Sequence, residues 1–163
     1  MNNLLCFILS LSLNFNLFSA IRPTEKPLPP LIDAYILAYD AIYNGDNQPK
    51  KNFIILDMES NYFVDTTYEE RQKAINHFSK YNKPVLSASL FKLKEIGLAN
   101  KRDSIIINGD LLMMTHVYSE DAVSIVIEGS KYCSETCAYS YRVKLNINSG
   151  SWQIEKIEEL GVA

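Results

Sequence analysis

Histidine and cysteine are scarce in this sequence: His77 and His116 are the two histidines, and Cys6, Cys133 and Cys137 the three cysteines. A structural zinc site takes four Cys or His ligands, usually in closely spaced pairs, and this chain does not offer them. Basic blocks are missing as well. Sixteen Lys and Arg stand against 19 Asp and Glu, spread along the chain, for a net charge of −3. Nucleic-acid binders concentrate Lys and Arg to displace phosphate counterions, so no nucleic-acid partner is expected. With six glycines in 163 residues there is no glycine-rich phosphate loop. No nucleophile and base stand at a motif spacing, and no cofactor is implied. Enzyme motifs are therefore lacking, and a binding role outside the cytoplasm, on a protein or small ligand, is the leading expectation.

The N-terminus points to that address. Met1 to Ala20 carries no charged side chain, and Leu4 to Leu13 (LLCFILSLSL) is apolar apart from its serines. That run suits the central region of a signal peptide and is short of the roughly 20 residues that span a bilayer. Residues 1–20 are expected to be a signal peptide cleaved after Ser19 or Ala20, giving a soluble exported protein, periplasmic or secreted. An uncleaved anchor on a surface or structural protein is the competing reading, since no Lys or Arg precedes the run. Cys6 would leave with the leader, so the mature chain keeps Cys133 and Cys137. An even number suits an oxidising compartment. Residues 21–30 (IRPTEKPLPP) hold four of the six prolines and read as an extended tether. Residues 31–163 suffice for one domain with one core.

Within that domain, Leu31 to Tyr43 predicts a helix, with Leu31, Tyr35, Ala38 and Ile42 on one face, Asp33 and Asp40 opposite, and Gly45 ending it. Asn52 to Met58 predicts a buried strand. A second helix follows, capped by Thr66 or Thr67 with Glu69 or Glu70 three residues on. Tyr68, Ile75, Phe78 and Tyr81 form its apolar arc, and Lys83-Pro84 stops it. A short third helix runs from Ser89 to Gly97, with Leu98 packing back on Leu93. From Ser104 onward the period becomes two. If Cys133 and Cys137 face each other, Ile127 meets Val143, Ile125 meets Leu145 and Val123 meets Ile147, while Glu128 meets Arg142 on the other side. A Ser149-Gly150 turn then sets Ile147 against Trp152, Leu145 against Ile154 and Lys144 against Glu155. Two separately chosen turns thus give matched apolar pairs and matched charge pairs. The fold class is α+β: N-terminal helices on a curved C-terminal antiparallel meander of four to five strands.

Helices followed by a hydrophobic strand, a glycine turn and a Trp-led strand (VKLNINSGSWQIEKI) resemble the cystatin-like and NTF2-like α+β folds of small exported bacterial proteins. The resemblance covers about the last sixty residues. It implies a concave sheet under helices, and because NTF2-like members include isomerases as well as pure binders, it does not choose a function.

Candidate side chains are few. Cys133-Ser-Glu-Thr-Cys137 sits at a hairpin with three intervening residues, so a structural disulfide is expected in place of a redox pair. Asp57, Glu59 and Asp65 bracket the end of the first strand and could gather around a divalent cation; as loop acids they could equally be solvated. His116, or Asp57, is the candidate general base of the competing enzyme reading, a hydrolase or isomerase with a cavity between helices and sheet. A three-residue turn after His116 would put it outside, a two-residue turn inside. Ten tyrosines stand out, and Tyr132 and Tyr139, flanking the cysteines, are candidates for an interface.

Overall fold

The computed structural model describes residues 27–134 and 137–162. The expected signal peptide and the first part of the proline tether lie outside the described residues. Helix α1 is Leu31–Asn44, strand β1 Phe53–Leu56, helix α2 Tyr68–Phe78, strand β2 Val85–Ser87 and helix α3 Leu90–Glu95. Four long strands follow: β3 Gly109–Ser119, β4 Ser124–Ser134, β5 Cys137–Asn148 and β6 Ser151–Val162. They form one six-stranded sheet in the order β2-β1-β3-β4-β5-β6. The protein is α+β, with its N-terminal helices packed on a mixed sheet that ends in the expected antiparallel meander. The two extra strands are parallel: β1 pairs with β2 and with β3, both in parallel register. Val85–Ser87 is too short to show a period, which is why β2 escapes sequence inspection. No helix among the described residues is long and apolar enough to cross a membrane.

Alternation along the strands divides the core. Ile54, Leu56, Leu112 and Met114 point towards α1 and α2, whereas Ile55 and Leu111 point to the other face, against Leu93 of α3. Helix α1 is wedged between the sheet and α2, so nearly every residue in it is buried and only Asp33, Leu37 and Asp40 remain half-exposed mid-helix. A helix apolar on almost all sides is one with neighbours on almost all sides. Its tyrosines belong to the core: Phe63, fully buried, lies 5.0 Å from the ring of Tyr35 and 6.0 Å from that of Tyr39. Burial pushes the Tyr39 hydroxyl well above its ordinary range, and that hydroxyl donates to the carbonyl of Asp57 at 2.5 Å. Gly45 closes the helix for a reason of space, since its φ of −65° is ordinary. A Cβ there would stand 2.5 Å from the ring of Tyr141.

Helix α2 begins on the Thr67–Glu70 capping box, each partner satisfying the other's backbone N–H. Its buried side is Ala74 and Phe78, while Tyr68, expected on that side, is 72% exposed in the first turn. Helix α3 is capped by Ser89 and ends as expected: Gly97 takes a φ of 75° and Leu98 N–H donates to Leu93 O at 2.7 Å.

The meander carries the expected pairs Ile125–Leu145, Ile127–Val143, Glu128–Arg142, Ile147–Trp152 and Leu145–Ile154. One pair differs. A bulge in β6 places Lys156 opposite Lys144, although the Lys144 ammonium still reaches Glu155 at 3.6 Å and Glu120 at 3.0 Å. Trp152 sits on the core side as expected but is only half-buried, with its indole N–H shared between Pro29 O at 3.3 Å and Pro30 O at 3.1 Å. The proline tether is thus fastened at its inner end. Trp152→Ala is expected to cost about 1–2 kcal/mol, below the cost of a fully buried aromatic, because part of the side chain already meets water. Urea unfolding measures this directly.

Candidate functional site

Beyond the C-terminus of α1 the sheet runs on without a helix over it, and there polar residues replace apolar ones on the α1 side. Ile127 and Gly129 of β4 face α1, so Lys131 does too. In the same row lie Asp110 of β3 and Tyr139 and Tyr141 of β5; Lys131 pairs directly with Tyr139 in the ladder. The segment after α1 supplies Asp46, Gln48, Pro49, Lys50 and Lys51. Together these elements enclose a cleft of about 430 Å³, lined by Gln48, Pro49, Lys51, Asp110, Lys131, Cys137 and Tyr139.

Lys131 is 2% exposed and ion-paired with Asp46, whose side chain is 5% exposed. Its ammonium also lies 5.5 Å from the centre of the Tyr139 ring, a cation–π arrangement. Lys50 adds a second ammonium 3.5 Å from Asp46 and donates to Tyr43 O, a carbonyl at the negative end of α1. Burial opposes the charged form of Asp46, yet hydrogen bonds from Lys131 and from the Gln48 N–H outweigh it and hold the carboxyl below its ordinary value. Burial, and next the nearby Lys131 charge, pull Lys50 below the usual lysine range. Desolvation pushes Tyr43 and Tyr141 up to about 12 each, and neither buried hydroxyl has a hydrogen-bond partner among the described residues.

Of the residues singled out from the sequence, Tyr139 and Cys137 line this cleft, and the others lie elsewhere. His116 is on the outer face, its side chain 71% exposed, 3.4 Å from Glu128, which Arg142 also grips at 2.7 Å. The turn after it spans Asp121 to Val123, three residues, and a bulge at Thr115 precedes it. Asp57 is half-buried, and desolvation raises its carboxyl above the ordinary value. Glu59 instead ties down the start of α3, accepting from the N–H of Ser89 at 3.2 Å and from its hydroxyl. Asp65 is exposed beside α2, and no group of three potential metal ligands occurs among the described residues. Tyr132 and Tyr139 are both half-buried, and the Tyr132 hydroxyl donates to Asp103 O at 2.8 Å. Ser134 pairs with Cys137 beyond a bulge at the hairpin; the side chain of Cys133 lies outside the described residues.

A second feature is the rim of the sheet. β6 is an outermost strand of 12 residues, paired only with β5 among the described residues. Ile154, Ile157, Leu160 and Val162 along it are 38%, 47%, 45% and 58% exposed. Ile154 and Ile157 pair with Leu145 and Val143, so their row continues the core past the flank of α1. The other face of β6 is charged, with Lys156 paired to Glu158 and Glu158 lying 3.6 Å from Arg142.

No family model, curated protein or solved structure matches this chain.

Proposed function

We propose that this protein is an exported, non-enzymatic binding module that holds a partner polypeptide along β6. One observation carries the reading: a 12-residue strand whose backbone edge is unpaired among the described residues, beside an exposed apolar row. A free edge offers N–H and C=O groups to an incoming strand, and the row beside it supplies the apolar contact that makes such pairing selective. Folded proteins normally blunt so long an edge, and here charges and bulges do so in part on the outer face. A protein that neutralises a partner enzyme by capturing it would act in this way. The uncharged Leu4–Leu13 run supports export. A Cys133–Cys137 disulfide fits the same compartment, since the pairing of Tyr132 with Ala138 leaves the two cysteines as neighbours across the hairpin.

Ile157→Asp tests the surface without touching the core. At 47% exposure the change is expected to cost under about 1 kcal/mol of stability. Capture with the mature chain from envelope extracts of the source cells is expected to retain a partner that the variant loses. Hydrogen exchange on the recovered complex is expected to show the β6 amides protected. Retention of the same proteins by both forms, or unprotected β6 amides, overturns the reading. A dimer that Ile157→Asp dissolves identifies the partner as a second copy of the chain.

A further inference from the structure

We propose that the cleft beside the β4–β5 hairpin binds a small zwitterion, a molecule of amino-acid size presenting an ammonium and a carboxylate together. This site is at the far end of the ladder from the Trp152 turn, where Val162 of β6 pairs with Tyr139, and away from Ile157, which pairs with Val143.

Asp110 is buried with little to hold its charge. Its carboxylate is 2% exposed, yet its sole hydrogen bond among the described residues comes from the backbone N–H of Lys51, at 3.1 Å to Oδ2. No Lys, Arg or His side chain pairs with it among the described residues, although Lys131, Lys51 and Lys50 are all near the same cleft. Two of those ammonium groups are engaged elsewhere. Lys131 and Lys50 both pair with Asp46, and the Lys131 ammonium is further covered by the Tyr139 ring. Lys51 also lines the cleft, and its ammonium has no side-chain partner among the described residues. A buried carboxylate with one hydrogen bond is costly to keep ionised, and a cation seated against it removes that cost. The cleft therefore presents one under-satisfied anion, Asp110, and one unmatched cation, Lys51, on adjoining walls.

A ligand ammonium on Asp110 and a ligand carboxylate on Lys51 satisfy both at once. Pro49 and the Tyr139 ring give an apolar wall for whatever the zwitterion carries, and Gln48 adds an amide at the rim. A volume of about 430 Å³ admits a single amino acid or dipeptide terminus. A monoanion would meet Asp110 unpaired and be repelled. A simple amine would leave Lys51 unmatched and bind more weakly.

The test is thermal unfolding of the purified protein titrated with the free amino acids, alongside acetate, methylamine and the N-acetylated amino acids. At least one amino acid is expected to raise the melting temperature in a saturable way, as ligands of the native state do. Its N-acetyl form, which lacks the ammonium, is expected to have no effect. Asp110→Asn keeps an oxygen for the Lys51 N–H and is expected to weaken the response about tenfold or more, the scale of a lost charge-assisted hydrogen bond. Lys51→Gln, on a half-exposed side chain, is expected to do the same and serves should the Asp110 variant fail to fold. Three results overturn the proposal: no response to any amino acid, an equal response to the N-acetyl forms, or variants that respond as the unsubstituted domain does. Because Ile157 pairs with Val143 and does not line the cleft, failure here leaves the polypeptide-binding surface standing, and Ile157→Asp is expected to respond to the amino acid unchanged.

Discussion

Asp46→Ala is expected to destabilise the domain by about 3–5 kcal/mol, the cost of leaving one member of a buried ion pair without its partner. Lys131 would keep its charge at 2% exposure with only the Tyr139 ring against it, and Lys50 nearby would add repulsion. Lys131→Met removes the stranded charge while keeping most of the side-chain volume. The double variant Asp46→Ala with Lys131→Met is therefore expected to recover most of the loss, as apolar replacements of buried pairs often do. Urea unfolding of the two single variants and the double completes the cycle. Acid provides a second readout. The carboxyl of Asp46 is held below its ordinary value of 3.8, so its contribution is fully present above that pH. It is lost as pH falls below 3.8 through the depressed folded-state value. Asp57, raised by desolvation, works in the opposite direction, favouring the fold as its carboxyl protonates. The pH effect of the pair is accordingly read as the difference between the unsubstituted domain and Asp46→Asn.

Phe63→Ala is expected to have a comparable effect, about 3–5 kcal/mol, for an entirely apolar reason. The ring is fully buried in a single turn of 3₁₀ helix, Asn61–Phe63, between the rings of Tyr35 and Tyr39. Its backbone is fixed independently of the ring: Phe63 O accepts from Thr66 Oγ1 at 2.6 Å and from Arg71 Nη2 at 2.8 Å. The segment therefore cannot collapse easily into the space left behind, and cavity cost adds to the lost transfer energy. Phe63→Leu is expected to lose roughly half as much. Chemical unfolding measures both, and the unfolding slope should stay unchanged if the effect lies in the native core.

The meander was legible in the sequence because two short turns fix a register, and a register in a two-faced sheet fixes every side chain on it. The apolar pairs from Ile125 to Trp152 followed from that alone. The same parity, carried four residues past Ile127, puts Lys131 on the α1 side, and that was the available signal for the cleft. A lysine in an alternating strand is ordinarily read as the outward member, and a sequence does not show that α1 stops short of covering it. The bulge in β6 was invisible for a related reason: Glu155 and Lys156 both suit an exposed position, so nothing in the residue types marks which is the extra one. Strand β2 has three residues and borrows its identity from β1 beside it. The Asp57, Glu59 and Asp65 set looked contiguous along the chain, but the backbone disperses it, with Glu59 committed to the cap of α3.

The placement of β1 has a consequence for the order in which the chain can assemble. Ile54 finds its ladder partners at Val85 on one side and Asp110 on the other, and α1 lies chiefly against β3 to β6. The first half of the chain makes contacts within itself, β1 with β2 and α1 with α2, but α1 and β1 complete their packing only on the later strands. The hairpins of β3 to β6 close through neighbouring residues and can form early, whereas β1 and α1 must wait for contacts distant in sequence. On the proposed export, that delay would keep the chain unfolded while it crosses the membrane, and the fold would begin on the far side.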